Sequence, residues 1–158
     1  MIVGSIFASG RSMTIESEVK AAAITLEEFN AICARDAPFL ELYGFVTTEI
    51  AFGTARVEMP AGPSHIRPGG TISGPAQMAL ADFALYAAVL GAIGSVPLAV
   101  TTNLSVNFLR KPHPGTLVAE ARLIKLGKRL AVGDVFIHGE AEGEPCCHVT
   151  GTYSIPPR

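Results

Sequence analysis

From Ser73 to Gly94 the chain holds its one long helical pattern, and the residues are apolar on nearly every face. A helix of that kind has to be enclosed by the rest of the chain. Ser73 suits the N-cap, and Gly74-Pro75 open the first turn, where a missing proline N–H costs nothing. Gly91 and Gly94, with Pro97 beyond, end it. Between Ala76 and Leu90 the single charge is Asp82. A carboxylate there is costly to bury unless it is paired, hydrated or used, which makes Asp82 the first functional candidate. The plainer alternative is a strip of helix that reaches water.

The segments on either side of this helix read differently. Thr25 to Arg35 opens with a capping box, Thr25 against Glu28, and sets Leu26, Phe29, Ile32 and Cys33 on one face of a short helix. From Phe45 the period falls to two, with a hairpin turn at Gly53, and Ala61 to Gly70 is rich in turn residues. After the long helix, four strands are expected in hairpin succession. They run from Ala99 to Leu109, Gly115 to Leu126, Arg129 to His138 and Cys146 to Ile155, with Gly127-Lys128 as one of the turns. The fold class is therefore α+β, an antiparallel sheet of five or six strands wrapped around one helix. Ala76, Ala79, Ala81, Ala84, Ala87 and Ala88 would let a curved sheet come close. Residues 1–22 show no clear period and are expected to be flexible, with a single domain over 23–158.

With 158 residues and a formal net charge of −2, the chain has neither a basic field for nucleic acid nor a polybasic segment for a membrane surface. Asp82 and the glycine and proline breaks argue against a membrane span over 76–100, so a soluble protein is expected. Three cysteines without framework spacing point to a reducing, cytoplasmic setting. The sequence contains no Cys-x-x-Cys and no His/Cys pair at ligand spacing, so neither a metal nor another cofactor is expected. Small ligands and protein partners are left.

The segment Arg67-Pro-Gly-Gly70-Thr-Ile-Ser73-Gly74-Pro75, followed by Leu80-Ala-Asp82-Phe-Ala84, resembles the phenylacetate-pathway branch of the hotdog-fold acyl-CoA thioesterases. In that family Asn-x-x-Gly-x-x-His-Gly-Gly opens the central helix and Leu-Ala-Asp-x-Ala lies within it. The resemblance implies a hotdog fold over about Pro38 to Tyr153, an acyl-CoA substrate, and dimers that often pair again into tetramers. It also implies Asp82 as catalytic carboxylate, the Gly74 amide as the group that polarises the thioester carbonyl, and Thr101 as the hydroxyl near the attacking water. The family's Asn is Arg67 here, its His is Ser73 and its second Gly is Pro75. A competing register, with Pro68-Gly69-Gly70 on His-Gly-Gly, would put Gln77 at the carboxylate position.

Hydrolysis of a thioester needs a base or nucleophile and donors aimed at the oxygen that becomes negative. Asp82 can supply the first; the N–H of Gly74, at the positive helix end and beside the Ser73 hydroxyl, can supply the second. Simple helix-start geometry would also account for Ser-Gly-Pro, and strand propensity for Thr101. Gly74 and Asp82 are eight residues apart, so at about 1.5 Å per residue they stand about 12 Å apart along the axis. One chain cannot place both on the same carbonyl. A working site would join Gly74 of one copy to Asp82 of another in a symmetric homodimer. His65 and Arg67 could line its mouth with Gly70. Arg110, Lys111, Lys128 and Arg129 could meet the phosphates of coenzyme A or be solvated turn charges. A non-catalytic acyl-CoA or fatty-acid binding protein on the same fold is the alternative, and dehydration of hydroxyacyl thioesters a third reading.

Overall fold

The long helix, α2, spans Gly74–Ile93, with Ser73 as N-cap and Gly94 closing it at φ 84°. In this computed structural model, residues 20–141 and 143–157 are described; most of the expected flexible segment 1–22, and Glu142 of the last turn, lie outside them. Leu80, Leu85, Val89 and Leu90 of α2 are fully buried. Each such side chain removes enough apolar surface from water to stabilise the fold by about 1.5–3 kcal/mol. The helix is also long and apolar enough to cross a bilayer, but 72% of its most apolar window is buried inside this fold.

The burial comes from one curved antiparallel sheet. A first helix, α1, runs Leu26–Asp36 with the expected capping box, Thr25 and Glu28 bonding reciprocally, and a 3-10 turn follows at Pro38–Leu42. Strands β1 (Val46–Ala51) and β2 (Thr54–Pro60) pair about Gly53. The turn-rich loop holds a two-residue pairing, β3 (Ile66–Arg67) with β4 (Thr71–Ile72), which lies apart from the main sheet. After α2 come β5 (Val100–Phe108), β6 (Thr116–Leu126), β7 (Leu130–Gly139) and β8 (Cys147–Ser154). The sheet order is β1-β2-β6-β7-β8-β5. Six strands around a central helix make this a hotdog fold.

One expectation is corrected. The four later strands are not in simple hairpin succession, because β5 pairs with β8 and not with β6. Pro112 and Pro114 hold the intervening backbone extended and without donors, which prevents a tight turn back onto β5. The chain instead leaves β5 beside the start of β8, where the Leu109 and Arg110 amides both donate to the Cys146 carbonyl at 2.8 and 3.2 Å. As a result β5 is an edge of the sheet.

The sheet closes on the helix where side chains are absent. Gly133 and Gly151 face one another across β7 and β8, and a Cβ on either would lie 2.6 or 2.5 Å from a methyl carbon of Leu85. On α2, a Cβ at Gly91 would lie 2.4 Å from the Ala51 carbonyl oxygen and 3.0 Å from Ile50 Cγ2. Glycine to alanine inside an open helix normally gains about 1 kcal/mol. Here overpacking against β1 backbone reverses the sign, so Gly91→Ala is expected to destabilise by about 1–3 kcal/mol. Thermal unfolding should show a lower Tm than the parent protein. A Tm that is unchanged or higher would mean that helix and strand do not meet there.

Candidate active site

Pro75 and Met78, which are exposed, and Ala79, Asp82 and Tyr86, which are half-buried, form a strip along α2, each three or four residues from another member. The sheet does not cover that strip. Asp82 thus sits on the helix face that reaches solvent, and this face is also one wall of a cavity of about 480 Å³. Both readings of the residue lead to the same place.

The remaining walls come from three directions. Ile32, Cys33 and Asp36 of α1, with Phe39, Leu40 and Tyr43 of the following turn, form one side; Phe83 and Tyr86 form the floor; Pro97, Ala99, Val100, Thr101 and Tyr153 form the other side. Phe29 fixes α1 to that floor, its ring 5.7 Å from Phe83 and 5.9 Å from Tyr86. Tyr43 stacks on Phe45 and Phe45 on Phe83, with centroids 5.0 and 5.3 Å apart. The cavity is largely apolar and aromatic, with Asp82 at one side and Asp36, bonded to Arg35, on the α1 side. A groove of about 950 Å³ on the outer sheet face is larger but chemically unlike it. Arg56, Glu120 and Arg122 of its lining are engaged in cross-strand ion pairs, Arg56–Glu120 at 2.8 Å and Arg122–Asp134 at 2.8 Å.

Asp82 is held on one side only. Thr101 Oγ1 donates to Asp82 Oδ1 at 2.6 Å, and the Tyr153 hydroxyl lies 2.8 Å from the same oxygen. Oδ2 has no hydrogen-bond partner among the described residues. The other candidate nucleophile in the cavity, Cys33, is pushed up to about 11 by burial and then by the Asp36 charge. It is a neutral thiol at neutral pH, which leaves Asp82 as the reactive group. Tyr86 is likewise raised to about 12, by burial first and then by Cys33 and Asp36, while its hydroxyl donates to the Pro97 carbonyl at 3.3 Å.

The other sequence candidates are dispersed. Ser73 caps α2, accepting from the Ala76 amide at 3.4 Å. The Gly74 N–H, in the first helical turn, has no acceptor among the described residues, and a Cβ placed on Gly74 would lie 3.1 Å from Phe108 Cζ. Arg67 and Gly70 are exposed on the β3–β4 turn, where the Gly70 amide donates to the Arg67 carbonyl at 3.1 Å. His65 does not line the cavity; it is buried, and its Nδ1 accepts from the Gly62 amide at 2.8 Å. Gln77 also faces inward, where its amide donates to the Ile72 carbonyl at 3.3 Å and its oxygen accepts the Cys146 thiol at 3.8 Å. The register that sets Gln77 at the reacting position therefore places it in the core. Arg110 is beyond β5, near the start of α2, in an ion pair with Glu144. Lys128 and Arg129 lie at the other end, against Ala92 and Ile93. One chain does not gather these cations.

Tyr153 was not singled out from sequence, although a signal existed. Cys147, Val149, Gly151 and Tyr153 alternate inward along β8, with Ile155 continuing the pattern just past its end, and a buried tyrosine needs a partner for its hydroxyl.

The family model of the thioesterase superfamily matches residues 69–146, from the β3–β4 turn through α2 to the approach to β8. A candidate esterase from Thermoplasma acidophilum is 30% identical over 129 residues, 82% of this chain and 96% of that protein. The chain belongs to the thioesterase superfamily. Among solved structures, a candidate thioesterase from a Silicibacter species is 40% identical and superposes with a TM-score of 0.79 over 89% of this chain and 97% of that one. The phenylacetic acid degradation protein PaaI of Thermus thermophilus is 28% identical, with a TM-score of 0.68 over 75% of this chain and 99% of that one. The chemistry of the superfamily is thioester hydrolysis, and the matched span contains Gly74, Asp82 and Thr101 but stops short of Tyr153.

Proposed function

We propose that this protein hydrolyses an acyl-CoA thioester, with Asp82 as base or nucleophile. The observation that carries the reading is the carboxylate itself: one oxygen is held by two hydroxyls, and the other, at the wall of a largely apolar cavity, is unengaged among the described residues. The acyl group fills the cavity between α1 and α2. Asp82 Oδ2 then takes a proton from the water that attacks the carbonyl carbon and passes it to the departing sulfur, or attacks the carbon itself, expelling coenzyme A and leaving a mixed anhydride that a water cleaves, its proton going to the thiolate. The products on either route are the free acid and the coenzyme A thiol.

The amide that stabilises the developing oxyanion is that of a second copy. Strand β5 supports this, because its outer edge is unpaired among the described residues and it carries no charged side chain to block pairing. Val100 and Phe108 at its two ends, and Leu98 and Leu109 just beyond them, are all at least half exposed. The opposite edge, β1, carries Glu49 and is covered by α1. A two-fold axis through the middle of β5 sets the start of one strand against the end of the other. Phe108 marks the position of Gly74, so Gly74 of the partner subunit arrives opposite Thr101 and Asp82. Arg110 of the partner subunit arrives near Ala99, at the cavity wall, where a guanidinium suits a phosphate of coenzyme A. Arg67 stands in the loop before α2 as a further substrate contact. The three free thiols support a cytoplasmic setting.

The test is thiol release from a panel of aryl- and alkanoyl-CoA esters, with light scattering to count subunits. Turnover is expected with at least one ester, at kcat values of about 1–10³ s⁻¹. Saturable binding of esters without release of thiol would instead favour an acyl-CoA binding protein.

A further inference from the structure

We propose that Tyr153 is a positioning residue for this hydrolysis: together with Thr101 it holds Asp82 Oδ1, and so makes Oδ2 the oxygen that faces the substrate. The inference rests on the hydrolytic reading of Asp82, but its geometry stands apart from it. The Tyr153 hydroxyl has two acceptors in reach, Oδ1 at 2.8 Å and the Asp82 carbonyl oxygen at 3.0 Å, both on the same residue. It ties the carboxylate to its own backbone. The phenol cannot move away, because it is only 3% exposed and its ring packs on Tyr86 with centroids 6.2 Å apart.

The sheet supplies the arrangement. In the β5–β8 register Thr101 is the partner of Tyr153, so the two hydroxyls stand side by side under one carboxylate oxygen. Rotating the carboxylate to exchange its oxygens would break both bonds. Both donors are in place before substrate arrives. Burial, and then the Asp82 charge, hold the phenol far above its ordinary range, so it remains a neutral donor across the working pH. The other charged or titratable groups lining the cavity are Cys33 and Asp36 of α1, Tyr43 of the turn after it, and Tyr86 of α2. Of these, Asp36 is bonded twice to Arg35, at 2.9 and 2.7 Å.

Tyr153→Phe removes only the hydroxyl. If the hydroxyl acts on the reacting carboxylate, loss of that donor should move the acid limb of kcat/KM to higher pH. The constant kcat should fall about 10-fold or more while KM changes little. A tyrosine needed only for packing would lower Tm and leave the limb where it is. The titration midpoint of the Asp82 carboxyl, followed by ¹³C NMR in the parent protein and in Tyr153→Phe, gives the same answer without turnover. If Tyr153→Phe does not fold, 3-fluorotyrosine at position 153 keeps the shape and strengthens the donor, and limb and midpoint should move to lower pH. Limb and midpoint unmoved in either variant overturn the proposal. A midpoint that moves as expected in a protein that releases no thiol from any ester would uphold the positioning and defeat the hydrolytic reading alone.

Discussion

Asp82→Asn lowers kcat by about 10²–10⁴-fold, the range expected when a general base is removed from a formed site, and leaves Tm nearly unchanged. The fold should tolerate the exchange because asparagine keeps the shape, and its Oδ1 can accept from Thr101 and Tyr153 as the aspartate oxygen does. Asp82 takes part in no salt bridge among the described residues, so no cation is left unpaired. What changes is the second oxygen. An amide nitrogen there neither attacks a carbonyl carbon nor accepts a proton from water. KM should move much less than kcat, since the cavity that receives the acyl group is lined chiefly by apolar and aromatic side chains. Steady-state kinetics and a melting curve on the same preparation check both halves. Undiminished turnover would show that Asp82 is a structural residue, and the chemistry would then have to be sought outside this cavity, since its only thiol, Cys33, is held neutral.

Much of the frame was legible in sequence because the strongest local signals were also the dominant global ones. The Ser73 cap, the Gly94 stop and the all-round apolar pattern defined α2, and a helix of that kind requires a sheet to enclose it. The change to a two-residue period defined the strands, and Asp82 was conspicuous as the only charge on α2. The pairing of β5 was less accessible. Local pattern gives strands but not their neighbours, and the effect of Pro112 and Pro114 on the path of the chain appears only once the sheet is assembled. Tyr153 was obscured for the same reason, since its partnership with Thr101 exists only through the β5–β8 register. Burial also sorted residues that spacing could not. His65 and Gln77 look like polar candidates beside the helix start, but their hydrogen bonds are made within the loop and the core. The aromatic wall from α1 and its following turn carries no catalytic residue type, and only packing reveals it as one side of the cavity.

Mixing two inactive variants should restore activity if the site is shared between subunits. One parent is Asp82→Asn. The other is Gly74→Pro, which deletes the amide N–H at the first helical turn; the preceding Ser73 already holds the extended ψ of 151° that proline demands, and because Pro75 follows, a melting curve on this parent checks that the helix start is kept. The Phe108 ring, 3.1 Å from the added carbon, is more than half exposed and can yield. In the mixed dimer, one site brings the two substituted positions together and carries both defects. The other combines the intact Asp82 of one chain with the intact Gly74 of its partner. Random pairing of equal amounts gives mixed dimers in about half the population, each with one working site of two, so about a quarter of the parent activity should return. A site built within a single chain predicts the opposite, because every site would then keep one defect. Tagging each parent differently and isolating the mixed dimer by tandem affinity removes the ambiguity of subunit exchange. Isolated mixed dimers as inactive as either parent would rule out the shared site; the separation of about 12 Å between Gly74 and Asp82 would then require some other donor for the oxyanion.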